Sequence, residues 1–264
     1  MPNPAIQIGW GGRLADLLRP LNTEAHVPMN MSMDSNNIFQ SGNETFPISI
    51  DPNGDESRIL VPGEKLIRQA LSSSPEFNDQ LSSSETHENV SPLGLQMRMV
   101  LRIIAARKAL GMKRQIFFVT QSGFDLHDNA PMRHATLLKW ISDALSDFYI
   151  GTRSLGVENN VVTFTASDFN RTLVSSGTGS GHGWGSHQIV LGGAVTGGRI
   201  FGKMPAIAAG GTDDIGNQGI WLPSLSVDQY AATLSRWFGA SESDLPTILP
   251  NVRKFDLSNL RFLG

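Results

Sequence analysis

A chain of 264 residues with a net charge of −3 and no cysteine can bury a substantial core, most simply as one domain over 1–264, and disulfides, thiolate metal sites and a cysteine nucleophile are excluded. Both signs of charge are spread along the sequence with no Lys/Arg cluster, so nothing reads as a nucleic-acid footprint. No apolar run approaches the ~20 residues that span a bilayer, and the opening MPNPAIQIGWGGRLADLL does not read as a signal peptide.

Taken in chain order, Trp10 to Leu21 predicts a short amphipathic helix, with Leu14, Leu17 and Leu18 at helical spacing and Pro20 ending it. Met29, Met31 and Met33 then alternate with polar residues at the strand period. Thioethers in a row suit copper(I), but one buried strand face accounts for them without a metal. Residues 36–62 are turn-rich, and 72–91 is a serine-rich polar loop or disordered excursion in which His87 lies between acidic residues. From Leu93 the pattern turns helical, with Leu93, Met97, Val100, Leu101 and Ile104 on one face and Gly111 as the C-cap. QIFFVT reads as a buried strand. TLLKWISDALSDFY reads as a helix with Leu137, Leu138, Ile141, Leu145 and Phe148 on one face. NVVTFTA and HQIVLGG are further strands, and VDQYAATLSRWFG is a helix capped by Ser226 and ended by Gly239. Helices alternating with near-continuous apolar strands predict an α/β fold, a mostly parallel sheet with helices on both faces.

In open α/β sheets, ligands bind beyond the C-terminal ends of the strands. That rule selects Asp125 and His127 after QIFFVT, and Asp168 and Arg171 after NVVTFTA. The stretch GTGSGHGWGSHQIVLGG carries His182 and His187 but precedes its strand, so it has to cross over to meet them. Carboxylates and imidazoles together suit Zn²⁺, Mn²⁺ or Fe²⁺. The plainer alternatives are that Asp125 and His127 cap the next helix, that Arg171 is a salt-bridge partner rather than a phosphate or sulfate clamp, and that His182 and His187 belong to an ordinary loop. His26 and His134 read as structural or exposed, and Asp213 and Asp214 as turn residues with a metal role open.

FFVTQSGFDLHDNA, VVTFTASDFNRTL, GSGHGWGSHQIVLGGAVTGGRIFG and LPSLSVDQYAATLSRWFG occur in that order. On these motifs the chain resembles domain-of-unknown-function family 1501, a bacterial group commonly exported by the Tat route and similar to the alkaline phosphatase and sulfatase superfamily. The resemblance implies a two-metal hydrolase acting on small phosphorylated or sulfated substrates or glycans, in the periplasm or outside the cell. It implies that Asp125 and His127 match the ligands of GFDTH, and that Asp168 and Arg171 match the Glu and Arg of SEFGRT. His182 matches the histidine of DHG, and His187 a downstream histidine. Arg171 and Asp168 are then the candidate catalytic residues, with Arg171 on the oxyanion. Gly181 stands where the family carries an aspartate ligand, so one metal site is expected to be weakened, with Asp213 or Asp214 as substitutes. Relative to the family the chain looks N-terminally abbreviated, which implies an open sheet edge and a homo-oligomer or a partner chain. Formylglycine is excluded because there is no cysteine. The expectation is a metal-dependent hydrolase-like protein with a degenerate site; the alternative is a non-catalytic relative that binds a glycan or a protein.

Overall fold

The computed structural model describes residues 7–53, 62–72, 90–257 and 260–263. The polar excursion expected at 72–91, with His87, lies almost wholly outside the described residues.

The first helix, α1 (Trp10–Leu18), buries Leu14 and Leu18 and runs into a 3₁₀ turn over Arg19–Asn22 that contains Pro20. Strand β1 (Asn30–Ser32) is the centre of a three-stranded parallel sheet, between β2 (Ile48–Ser49) and β3 (Ile116–Phe118). Met31 within β1 and Met29 and Met33 beside it are all buried, as expected, but they do not pack on one face. Met31 and Met33 join one core cluster and Met29 another. The intervening Asn30 and Ser32 are fully buried as well. Burial of these polar groups is offset in part by hydrogen bonds, from Asn30 Nδ2 to Gln40 O (2.7 Å) and from Ser32 Oγ to Ser35 O (2.8 Å), while Asn30 Oδ1 is buried without a hydrogen-bond partner among the described residues. Gln40 ties β1 to β3, its Nε2 donating to Met31 O (3.1 Å) and Ile116 O (2.9 Å).

Helix α2 (Pro62–Ser72) and helix α3 (Pro92–Ala105), N-capped by Ser91, pack against one side of this sheet. The predicted face of α3, from Leu93 to Ile104, is buried. Its end differs from expectation. The helix stops at Ala105, and Gly111 instead takes a left-handed φ of 66° in the following turns. Helix α4 (Ala130–Ser154) buries Leu137, Ala144 and Phe148, with Ile141 and Leu145 packed on the same core. Leu138 is 48% exposed, a correction. One residue on from Leu137 is about 100° around the helix, so both cannot share a narrow stripe.

Adjacent residues on a strand face opposite ways. Phe117 packs on the cluster built by α2, α3 and α4, whereas Ile116 packs with α1 and the C-terminal helices α5 (Val227–Phe238) and α6 (Leu245–Ile248). The parallel sheet is therefore covered on both faces. Helix α5 starts with a capping box between Ser226 and Gln229 and ends at Gly239, whose φ is 123°. No described helix is long and apolar enough to cross a membrane.

The remaining strands correct the expectation of one mostly parallel sheet. NVVTFTA supplies β4 (Thr163–Phe164) and HQIVLGG supplies β7 (Val190–Leu191), and these pair antiparallel with each other. Between them lies a β-hairpin of β5 (Asn170–Ser176) and β6 (Gly179–Gly183). Parallel neighbours need a long crossover, usually a helix; a hairpin between β4 and β7 simply returns the chain reversed. Among the described residues the fold is α/β, with three short parallel strands and two antiparallel pairs. Ring contacts from Phe39 to Phe164 (6.2 Å), Phe164 to Tyr230 (6.0 Å) and Tyr230 to Phe262 (5.8 Å) join the β4–β7 pair to the rest of the chain.

Candidate metal centre

The segment leaving β3 carries polar, apolar and polar residues at 125, 126 and 127. Leu126 is 2% exposed and anchors the segment, which leaves Asp125 and His127 facing solvent. The β5–β6 hairpin packs on this segment. Ser180 N donates to Leu126 O (3.3 Å), Ala130 N to Thr178 O (2.9 Å) and Asn129 N to Thr178 Oγ1 (3.0 Å). Gly179 permits the approach: a Cβ there would lie 2.2 Å from the carbonyl carbon of His127. Across the ladder Arg171 stands opposite His182. No long crossover is needed, because one tight hairpin brings Arg171 and His182 to Asp125 and His127.

Asp125 Oδ1 is the hub. His127 Nε2 and His182 Nε2 each lie 2.9 Å from it, and the two Nε2 atoms are 3.2 Å apart. Arg171 Nη1 donates to the same oxygen at 2.6 Å. Hydrogen bonding from His182, then from Arg171, with the charges of both imidazoles adding, holds the Asp125 carboxyl below its ordinary range. The three side chains are 56%, 60% and 49% exposed, for Asp125, His127 and His182. Arg171 is only 20% exposed. Its Nε donates to Ser180 Oγ (3.3 Å), and its Nη2 donates to Leu126 O (2.9 Å) and to Ser180 O. The guanidinium is thus built into the scaffold and holds Asp125; it is not extended toward solvent to receive an anion.

The donor set fits a divalent ion. Asp125, His127 and His182 each offer one ligand atom, and all three atoms lie within 4.8 Å of one another. Ligands of a tetrahedral ion at about 2.0–2.1 Å are themselves about 3.3 Å apart, close to the 2.9 to 3.2 Å separations here. One carboxylate and two imidazoles suit zinc, manganese or ferrous iron. Three protein ligands on an exposed face leave positions open, as reactive sites do and closed structural sites do not.

The other candidates lie elsewhere. His187 is exposed, with Nε2 3.2 Å from Met204 Sδ, and is outside the cluster. Asp168 is exposed in the bend before β5 and has no hydrogen-bond partner among the described residues. Asp213 Oδ2 accepts from Ala206 N (2.8 Å), and Asp214 accepts from Gly210, Gly219 and Ile220 N–H groups, so both staple a loop. Gly181 donates its N–H to Thr172 Oγ1, and a Cβ there would point at the Thr172 side chain, 3.5 Å from Cγ2. It occupies the alternate face from His182, so an acid at 181 would not join this cluster. Neither Asp125 nor His127 caps α4, whose N-cap residue is Asn129. His26 is exposed, and His134 is exposed with its ring edge-on to Phe124 at 5.9 Å.

Sequence reasoning missed Phe169. Its ring stacks on His182 with centroids 4.1 Å apart and planes 16° apart. Its spacing, two residues before Arg171, becomes informative only once the hairpin register is known.

Comparison with known proteins bears on this centre through the family alone. The family model described as protein of unknown function (DUF1501) matches residues 21–217, a span that includes Asp125, His127, Arg171 and His182. No curated protein and no solved structure matches. Since the match covers most of the chain and all of the cluster, the chain belongs to the DUF1501 family.

Proposed function

We propose that this chain is a metal-dependent hydrolase-like protein acting on phosphate or sulfate esters, with one divalent ion held by Asp125, His127 and His182. The observation that carries the reading is the convergence of three donor atoms, 2.9 to 3.2 Å apart, on an exposed face. An alkaline phosphatase/sulfatase-like fold belongs to the same reading. It is supported by the helix-covered parallel sheet and by ligands on the loop leaving β3. A divalent ion there supplies Lewis-acid polarisation of a phosphoryl or sulfuryl oxygen. Asp125 stays ionised as a ligand, Arg171 orients it through a 2.6 Å ion pair, and Asp168, exposed in the bend before β5, is the candidate proton acceptor. The substrate is a small phosphorylated or sulfated molecule or glycan, met in the periplasm or outside the cell. An edge strand of the three-stranded sheet would pair with a second copy or another chain.

A second reading is a metal-binding relative without turnover. What favours it is that the donors of Arg171 are engaged by Asp125, Leu126 and Ser180, so the guanidinium is not free for an oxyanion.

The test is elemental mass spectrometry of the protein purified without added metal, beside His127→Ala/His182→Ala. Release of 4-nitrophenol from its phosphate and sulfate esters is then measured. Near-stoichiometric metal that is lost in the double variant, with turnover, supports hydrolysis. The same metal without turnover supports the second reading. No metal in either protein sinks both.

A further inference from the structure

A metal-ligating histidine ordinarily has its ring fixed by a hydrogen bond from its second nitrogen to a carboxylate, carbonyl or water. The two histidines here differ in this respect. His127 Nδ1 lies 3.3 Å from Arg171 Nη2. His182 makes its side-chain hydrogen-bonding contacts with other described residues all through Nε2, to Asp125 and His127. It is also half exposed, on an open face of a two-stranded ribbon, where little packing restrains ring rotation. Its ring plane nevertheless matters, because rotation about the ring bond swings Nε2 away from Asp125 Oδ1.

Of the ring contacts of His182 among the described residues, that with Phe169 is nearer, at 4.1 Å, than that with His127, at 5.1 Å. Phe169 stands two residues before Arg171, the cross-strand partner of His182, and so is diagonal to His182, a separation that aromatic side chains bridge. Its ring lies 4.1 Å from the His182 ring at 16°, nearly parallel. Phe169 is in turn braced. Its carbonyl accepts from Ser167 Oγ (2.9 Å), and the Arg171 guanidinium sits 6.0 Å from its ring centroid.

We propose that Phe169 is a positioning residue for the centre, and that its ring holds the plane of the His182 imidazole by stacking on it. The inference rests on the metal reading above. The stack does more than hold the ring. An imidazole bound to a divalent ion is electron-poor, and the face of a phenyl ring attracts such a partner. The stack therefore favours the loaded centre over the empty one. Aromatic pairs of this kind correspond to about a twofold to tenfold change in an equilibrium constant.

The experiment measures Zn²⁺ affinity of the whole chain by calorimetry for wild type, Phe169→Ala, Phe169→Leu and Phe169→Tyr. Thermal unfolding of each metal-free protein is recorded beside it. The expected result is a loss of about threefold to tenfold in affinity for both Ala and Leu. Tyr should restore wild-type affinity, and the metal-free Leu variant should melt with wild type. Leu binding as tightly as Phe would mean that bulk alone is needed and would overturn the aromatic role. Ala binding as tightly as Phe would overturn positioning altogether. If wild type itself binds no Zn²⁺, the metal reading has failed first, which is a distinguishable outcome. Should the Ala variant not fold, the comparison of Leu with Tyr still decides.

Discussion

Three glycines in one hairpin make different demands on the chain, and substituting each with alanine tests the geometry of the centre directly. At Gly179 a Cβ would lie 2.2 Å from His127 C, 2.3 Å from His127 O and 2.6 Å from Leu126 O. All three neighbours are backbone atoms, so no side chain can swing aside. Relief requires the hairpin and the 126–127 segment to part by about 1 Å, given that carbon contacts settle near 3.5 Å. That movement stretches the Ser180 N–Leu126 O bond and the Arg171 Nη2–Leu126 O bond. Overpacking of about 1–3 kcal/mol and weakened hydrogen bonds of about 1 kcal/mol each give an expected loss of about 3 kcal/mol for Gly179→Ala. Because His182 moves with the hairpin and His127 with its own segment, Zn²⁺ affinity should fall at least about tenfold. At Gly177 φ is 62° and nothing lies within 4 Å. Alanine there costs only the left-handed backbone, about 1 kcal/mol, and leaves the metal affinity alone. At Gly181 the nearest atom is 3.5 Å away, so alanine should stay within about 0.5 kcal/mol of wild type. Urea unfolding of the metal-free proteins reads the stabilities and calorimetry reads the Zn²⁺ affinities. Gly179→Ala with wild-type stability and affinity, or Gly181→Ala as costly as Gly179→Ala, would refute the packing of the hairpin on His127.

Gly181→Asp should leave Zn²⁺ affinity unchanged, because the new side chain meets Thr172 on the face away from His182; a clear gain in calorimetry would show that the face assignment is wrong. Asp125 carries a pH signature. Its folded pKa lies below its ordinary 3.8, so its stabilisation is fully present above 3.8 and is lost as pH falls through the lower folded value. The urea midpoints of wild type and Asp125→Asn should therefore still differ at pH 5 and converge only below about 3.8; convergence already at pH 5 would contradict the ion pair. Gln40→Leu leaves the carbonyls of Met31 and Ile116 without the amide that joins them. We expect a loss of about 3 kcal/mol in urea unfolding, and a loss under about 0.5 kcal/mol would remove Gln40 from the account of the sheet.

Helices α1, α3, α4 and α5 were legible in the sequence because their interactions are local, whereas α2 and α6 were not read from it. The stripe from Leu93 to Ile104, the Ser226 cap with Gln229 three residues on, and Leu14 with Leu18 in α1 all follow from the 3.6-residue repeat and from terminal N–H groups that need acceptors. The strand Asn30–Ser32 was legible from its period of two, but its burial on both sides was not, since Asn30 Nδ2 and Ser32 Oγ donate to Gln40 O and Ser35 O, partners whose approach no local pattern announces. Strands of two residues, such as Ile48–Ser49 and Thr163–Phe164, have no period to read, and their partners and direction are set by whatever lies between them. Donor chemistry marked Asp125, His127, His182 and His187 alike. Only the tertiary structure decided that the first three meet, that His187 lies against Met204, that Arg171 braces Asp125 and that Gly181 faces away. The physical reason is that a residue type determines what an atom can bind, whereas which atoms converge depends on hairpin register and on backbone contacts between segments some 50 residues apart, as where Gly179 meets His127.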